Sequence, residues 1–84
     1  MFDYYITFRS ITRAQRGSRL LDSIGLHHQL LRTPKVLSAQ GCGYALRLRQ
    51  ELGAQAVEAL RQNEIGFQRV YQLDGGGQYQ EIGL

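Results

Sequence analysis

The only cysteine of the chain, Cys42, lies between two glycines in the segment Gly41-Cys42-Gly43, directly before a strand-like run. Glycine has no side chain to shield its neighbour and permits positive φ angles, so the segment predicts a thiol displayed at a turn. A cysteine that serves as a small core residue normally has bulky apolar neighbours instead. The spacing therefore indicates a thiol that is open to a reaction partner.

One thiol restricts the chemistry that the chain can perform. A single cysteine excludes an intramolecular disulfide, a Cys-x-x-Cys redox pair and a zinc site built from cysteines. A lone thiolate suits a carrier, because it can accept a sulfane sulfur or selenium atom from another protein's persulfide and hold it as Cys-S-S⁻ or Cys-S-Se⁻. The thiolate is the reactive form, and nearby cations or converging backbone N–H groups lower its pKa. The predicted catalytic residue is therefore Cys42.

Five other residues are predicted to support this site. Lys35 and Arg47 are candidate cations, with Arg47 first because it lies closest along the following strand. Ser38 either donates a hydrogen bond to the sulfur or braces the loop, and both interpretations stay open. Gly41 and Gly43 allow backbone amides to approach a bound anion and to form a small nest for the terminal sulfur or selenium.

The net charge of +3 conceals an asymmetry along the chain. Residues 9–49 contain eight basic residues and one acid, a net +7, whereas residues 50–84 contain five acids and two arginines, a net −3. The basic stretch surrounds position 42 and is predicted to support a thiolate there and to dock acidic surfaces. For Arg13, Arg16 and Arg19, a solvated helix face is an equally good interpretation.

Other motifs do not indicate a conventional active site. His27 and His28 are adjacent, and neighbours in a strand point to opposite faces, so they do not predict a metal site. The run 75–77 of three glycines lacks the Lys-Ser/Thr and helix of a phosphate-binding loop. No Ser-His-Asp group or carboxylate pair can be argued from spacing. We expect no metal and no cofactor, and at most a transfer carrier rather than an enzyme with a classical active site.

Periodicity predicts the elements that must position Cys42. Alternation over residues 2–9 predicts a strand, and Ser10 or Thr12 can cap a helix that Gly25 ends. Gly17 interrupts the apolar face of this helix, which suggests close approach to the sheet. The remaining prediction is a strand over 26–32, a long loop over 33–41, a strand over 44–49, a helix over 50–63 and a strand over 67–73.

The predicted fold follows from this order. The segments Ile24-Gly25-Leu26 and Ile65-Gly66-Phe67 are 41 residues apart, and each is followed by a strand-like run. Two β-α-β halves predict an α+β, ferredoxin-like βαββαβ sandwich with a four-stranded antiparallel sheet and two helices on one face. Residues 1–74 are predicted to form one carrier domain, and residues 75–84 a Gly-rich linker and short C-terminal tail.

The sequence also predicts where the protein works. The N-terminus has no basic n-region, and no apolar stretch approaches the roughly 18 residues that a membrane span needs. A single free cysteine suits a reducing compartment. We therefore expect a cytoplasmic protein without a membrane partner.

The chain resembles the small bacterial selenium/sulfur carrier-like family, formerly a domain of unknown function. The resemblance runs from Tyr4-Tyr5-Ile6-Thr7-Phe8 to the strand at Val70-Tyr71. Its most specific part is Pro34-Lys35-Val36-Leu37-Ser38, followed by Cys42-Gly43-Tyr44-Ala45-Leu46-Arg47. The resemblance implies a ferredoxin-like domain whose Cys-Gly pair, here Cys42 and Gly43, carries the reactive thiol.

The resemblance thus implies a carrier that receives sulfur or selenium from a donor such as a cysteine desulfurase and passes it to an acceptor protein. A homodimer is left open. One alternative is an RNA-binding module, which the pI of about 9.4 favours; it requires Tyr4, Phe8 and Tyr44 to face solvent. The other is a small-ligand regulatory domain, which requires a symmetric dimer with a closed pocket away from Cys42. A nucleic-acid partner is not expected.

Overall fold

A computed structural model of the chain describes residues 3–37 and 43–82. Five strands form one antiparallel sheet in the order β2-β3-β1-β4-β5. The elements are β1 Asp3–Phe8, α1 Ile11–Ser23, β2 Gln29–Arg32, a 3-10 turn Lys35–Leu37, β3 Tyr44–Arg49, α2 Gln50–Gln62, β4 Arg69–Leu73 and β5 Tyr79–Glu81. The predicted α+β class, with two helices and an antiparallel sheet, is confirmed.

Both helices pack against the same face of the sheet. The side chains that alternate along β1 and β3 toward this face join the buried residues of α1 and α2 in one cluster. The largest fully buried side chains are Phe8, Ile6, Leu21, Leu46 and Leu60. A small domain depends on such a single core because it buries little other apolar surface.

Gly17 permits α1 to approach the sheet closely, as predicted. A Cβ atom at this position would lie 3.2 Å from side-chain atoms of Phe8, Leu46 and Leu60. These three residues belong to β1, β3 and α2. The glycine therefore lies where both helices meet the central strand β1 and its neighbour β3, and a larger residue would push them apart.

The two helices end with the same backbone hydrogen-bond pattern. The residues that are equivalent in this pattern are not those of the repeated Ile-Gly pairs. The N–H of Leu26 donates to Leu21 O at 2.9 Å, and the N–H of Ile65 donates to Leu60 O at 2.9 Å. The equivalent residues Leu26 and Ile65 are 39 residues apart, whereas the repeated Ile-Gly pairs are 41 apart. The left-handed position is Gly25 (φ 76) after α1 and Glu64 (φ 57) after α2.

At the other end of α1, Ser10 is the cap, since its Oγ accepts a hydrogen bond from the N–H of Arg13 at 3.2 Å. Strand β2 begins at Gln29 rather than at the predicted residue 26. Residues 26–28 instead connect the end of α1 to β2. The strand was therefore predicted to begin three residues too early.

The predicted count of four strands is wrong, because the C-terminal segment adds a fifth. Asp74 begins a tight turn in which its Oδ1 accepts hydrogen bonds from the N–H groups of Gly76 (2.8 Å) and Gln78 (3.0 Å). Gly77 takes φ 81, so the chain reverses and β5 pairs with β4. The segment 75–84, expected to be a linker and tail, therefore contributes a strand.

Candidate functional site

Gly43, the residue that begins the described part of the chain just before β3, has a conformation that requires glycine. Its φ angle is +148°, which L-residues with side chains rarely adopt. A Cβ atom here would also lie 3.2 Å from the carbonyl oxygen of Phe8. The Gly43 carbonyl accepts a hydrogen bond from the N–H of Thr33 at 3.1 Å, which ties this residue to the end of β2. The predicted site residues Cys42, Gly41 and Ser38 lie outside the described residues.

Thr33 presents a buried hydroxyl beside Gly43. Its Oγ1 atom has no hydrogen-bond partner among the described residues and lies 3.4 Å from the position of a Gly43 Cβ. A buried hydroxyl without a partner costs on the order of 1–3 kcal/mol, so such groups call for an explanation. The sequence prediction missed Thr33. Its position before Pro34, in a segment held extended, is the signal that was available.

Lys35 lies at the same end of the sheet as Gly43. It is exposed and begins the 3-10 turn, in which the N–H of Leu37 donates to Pro34 O at 2.9 Å. The turn begins two residues after Thr33, whose N–H donates to Gly43 O. The structure thus brings two of the predicted site residues, Lys35 and Gly43, to one end of the molecule.

Arg47 lies elsewhere. It lies four positions after Gly43, which corresponds to about 13 Å along an extended strand. Its Nη2 and Nε donate to Asp3 Oδ2 at 2.8 and 3.0 Å, and this hydrogen bonding raises the pKa of the guanidinium further above its ordinary value. The structure does not bring Arg47 to Gly43, so its support of the thiol stays a prediction.

Two cations that were not singled out as site residues also lie at the Gly43 end. Arg32 is opposite Tyr44, with its guanidinium 5.9 Å from the centre of the Tyr44 ring. On the other side of β3, Phe8 is also opposite Tyr44, and Arg9 follows Phe8. We refer to Arg9, Arg32 and Lys35 as the basic end; all three are exposed.

Ser18 and His28 form a hydrogen-bonded pair that the sequence did not reveal. His28 Nδ1 lies 2.9 Å from Leu26 O, and its Nε2 lies 2.6 Å from Ser18 Oγ. Because a carbonyl can only accept, Nδ1 donates, and in a neutral imidazole Nε2 then accepts from the Ser18 hydroxyl. Asp22 lies 3.8 Å from Nε2, not from Nδ1, so this is not the geometry of a catalytic triad.

The pair instead explains His28 as a satisfied buried side chain. The His28 side chain is 5% exposed, whereas His27 is exposed. The two histidines therefore face different environments, and both precede β2 rather than lying within it. Over residues 3–37 and 43–82, no group of three or more His, Cys, Asp or Glu side chains could hold a metal ion.

The aromatic residues on which the RNA hypothesis depends do not form an exposed platform. Phe8 is 1% exposed, and Tyr4 and Tyr44 are partly buried against the core cluster. Stacking of bases on these rings would require them to face away from the helices. The condition set for an RNA-binding module is therefore not met.

A groove of about 720 Å³ lies at the opposite end of the sheet from Gly43. Its lining includes the Asp3 and Arg47 pair, His27 and Glu51, so its charge is mixed. The end of β3, the start of α2 and the segment before β2 form its walls. It is open to solvent, and it does not coincide with the basic end.

Neither of the described helices has the length and apolar character needed to cross a bilayer.

A protein-family model described as "Putative Se/S carrier protein-like" matches residues 3–72. The chain belongs to this family. The matched region covers β1 through most of β4 and includes positions 41–43, whereas β5 lies beyond it. The resemblance noted from the sequence is thereby confirmed. Neither curated proteins nor solved structures include a significant match to the chain.

Proposed function

We propose that this protein carries sulfur or selenium on Cys42 and passes it between a donor protein and an acceptor protein. The observation that carries this proposal is the match to the selenium/sulfur carrier-like family across positions 41–43. The conformation of Gly43 supports it, because this position excludes any side chain beside the thiol-bearing residue. No enclosed substrate pocket is needed for such a transfer.

The transfer is a displacement in which no external oxidant is consumed. The Cys42 thiolate attacks the terminal sulfur of the donor's persulfide, the S–S bond to the donor cysteine breaks, and the donor leaves as a thiolate. The terminal sulfur keeps its proton and is now bonded to Cys42. An acceptor thiolate then attacks the same sulfur and regenerates the Cys42 thiolate. Because each step needs a thiolate, groups that lower the thiol pKa toward the ambient pH accelerate the transfer.

The surrounding residues have distinct proposed roles. Gly41 and Gly43 leave space for backbone amides to meet the terminal sulfur or selenium. Ser38 and the buried hydroxyl of Thr33 are proposed donors to the same atom; Thr33 is supported by its lack of a partner among the described residues. Lys35 supplies positive charge. Arg47 is the weakest member of the set, because its guanidinium is bonded to Asp3.

The wider setting also belongs to the proposal. We infer that the β-α-β-β-α-β order is a ferredoxin-like sandwich with β5 added beside β4. A cysteine desulfurase is the proposed donor, and a thiol protein the acceptor. A reducing cytoplasm keeps Cys42 available as a thiol.

Intact-mass measurement tests the proposal directly. The protein is incubated with a purified cysteine desulfurase and L-cysteine, and the expected product is heavier by one sulfur atom. A thiol reductant should remove the added mass, and Cys42→Ser should not acquire it. A folded wild-type protein that gains no sulfur, or a Cys42→Ser variant that gains the same mass, would count against the proposal.

The support residues are tested by the pH dependence of alkylation with iodoacetamide, a neutral reagent that reports thiolate formation. Lys35→Ala is expected to shift the profile to higher pH, because it removes a cation from the Gly43 end. Arg47→Ala serves as the comparison. Equal shifts in the two variants would restore Arg47 to the site, and no shift in Lys35→Ala would remove Lys35 from it.

A further inference from the structure

The basic end concentrates positive charge that the described part of the molecule does not neutralise. Arg9 and Arg32 continue the two strands that flank β3, so they stand two strand spacings apart, about 10 Å. Lys35 follows Arg32 by three residues, across the turn at Pro34. Within residues 3–37 and 43–82, none of the three has a carboxylate within 4 Å.

Two arginines on the open face of the sheet do have carboxylate partners. Arg47 is paired with Asp3 and Arg69 with Glu81, each at 2.8 Å. These pairs lie on strands and close part of the face that the helices leave uncovered. Within residues 3–37 and 43–82, the three residues of the basic end thus lack the carboxylate partners that Arg47 and Arg69 have, as do the exposed Arg19 and Arg49 elsewhere on the surface. One acid, Glu64, is at this end of the molecule, in the turn that leads to β4 on the far side of β1.

An apolar side chain accompanies the cations. Val36, next to Lys35, is 76% exposed, the most exposed of the large apolar side chains in the described chain. An exposed aliphatic residue beside cations is the composition of a protein contact, in which apolar groups are buried and charges lie at the rim. Single-stranded RNA instead requires free aromatic faces. Here the guanidinium of Arg32 lies over the Tyr44 ring.

We propose that the basic end, together with Val36, is the docking surface for an acidic surface on the protein that exchanges sulfur or selenium with this carrier. The inference rests on the proposed function and extends it to the chemistry of the partner. The three cations act mainly by steering the partner toward the end of the sheet where Gly43 lies, so they raise the association rate at low salt. Val36 contributes contact area after docking.

A charge-reversal experiment with a matched control tests this inference. Arg9→Glu combined with Lys35→Glu reverses two of the three charges of the basic end and leaves Arg32 in contact with the Tyr44 ring. Arg19→Glu combined with Arg49→Glu makes the same change in net charge at exposed positions in the second half of α1 and the far end of β3. Chemical denaturation shows that both variants are folded. Because Lys35 is also proposed to support the thiolate, each loading rate is divided by the iodoacetamide rate of the same variant, so that only the change in docking is compared.

The first readout is the rate at which a purified cysteine desulfurase with L-cysteine loads Cys42. At an ionic strength of about 10 mM, where the screening length is about 30 Å, the basic-end variant should load on the order of tenfold more slowly than wild type. The difference should shrink at about 0.15 M, and the control should stay within about twofold of wild type. Equal slowing of both variants, or no slowing of either, overturns the inference.

A second readout does not depend on sulfur transfer. A decaglutamate peptide is added to ¹⁵N-labelled protein, and amide shifts are followed beside a parallel titration with a U10 oligonucleotide. The inference expects shifts at residues 9, 32 and 35, absent in the basic-end variant and present in the control. Stronger binding of U10 at these residues would assign the surface to RNA and overturn it. If loading fails but the peptide binds here, the carrier function is wrong and the acidic partner stands.

Discussion

Replacing Gly43 by alanine should destabilise the protein by about 2–4 kcal/mol. A residue with a side chain held at φ +148° costs on the order of 1–3 kcal/mol. The new Cβ would lie 3.2 Å from Phe8 O, a backbone atom that cannot rotate away, and such overpacking adds about 1–3 kcal/mol. Alanine also reduces the entropy of the unfolded chain, which offsets about 0.4–1 kcal/mol.

Urea denaturation followed by far-UV circular dichroism measures this effect. The midpoint should fall while the slope of free energy against urea stays near the wild-type value, because the surface exposed on unfolding is unchanged. In a domain of this size, the same loss lowers Tm by roughly 4–8 °C for each kcal/mol.

Two other glycines provide matched controls. A Cβ on Gly66 would meet only Arg13 Nη1, at 3.7 Å, and a Cβ on Gly75 would meet nothing within 4 Å. Neither has a positive φ angle. Gly66→Ala and Gly75→Ala should therefore change stability by less than about 0.5 kcal/mol. If Gly43→Ala is as well tolerated as these two variants, the argument that this position demands glycine is wrong.

Three further predictions concern the rest of the fold. Gly53→Ala should lower the free energy of unfolding by at least about 2 kcal/mol, although alanine gains about 1 kcal/mol in helix propensity, because the new Cβ would overlap the Tyr4 ring. In a Tyr4→Ala background, denaturation midpoints should show no such loss of stability. A loss that persists in this background would contradict the overlap. Ser18→Ala should cost about 1–3 kcal/mol, because it leaves the buried His28 Nε2 without its donor; an unchanged midpoint would show that the hydrogen bond contributes nothing. Burial, followed by hydrogen bonding to Tyr79, raises the pKa of Tyr5 above its ordinary 10.0, so the unfolded chain releases this proton first and stability falls as pH rises above 10.0. Ultraviolet titration should show a late-ionising phenol that Tyr5→Phe removes, and an identical titration of the variant would contradict the shift.

Much of the fold could be predicted because local patterns and packing agree. The alternation of Ile6 and Phe8 matches their position under the helices, and Ser10 and Gly25 act as the cap and the stop that their types suggest. Strand β5, which the sequence did not predict, shows where local patterns mislead. Three consecutive glycines resemble a linker, but Asp74 uses their freedom to close a hairpin through its own side chain.

The site could be predicted less well, since charge along a sequence does not reveal which charges are paired in space. Arg47 is close to position 42 in the chain, but an extended strand carries it away, and Asp3 meets it there. Arg9 and Arg32 are distant in sequence and arrive at the Gly43 end only because β1 and β2 both flank β3. Thr33 gives no sequence signal of burial beyond the proline that follows it.

The proposed exchange also explains why the charges of the basic end are exposed rather than buried. A carrier must leave its donor and then its acceptor, so tight binding would slow the cycle. Exposed ion pairs contribute about 0.2–1 kcal/mol each, so three cations favour a partner by only a few kcal/mol while raising its association rate. Arg47 and Arg69 are instead paired with carboxylates on the open face of the sheet. Arg9, Arg32 and Lys35 have no carboxylate partner among residues 3–37 and 43–82. They stay available for weak, fast and salt-sensitive contacts, which is the kinetic behaviour that the proposed loading and release of one thiol requires.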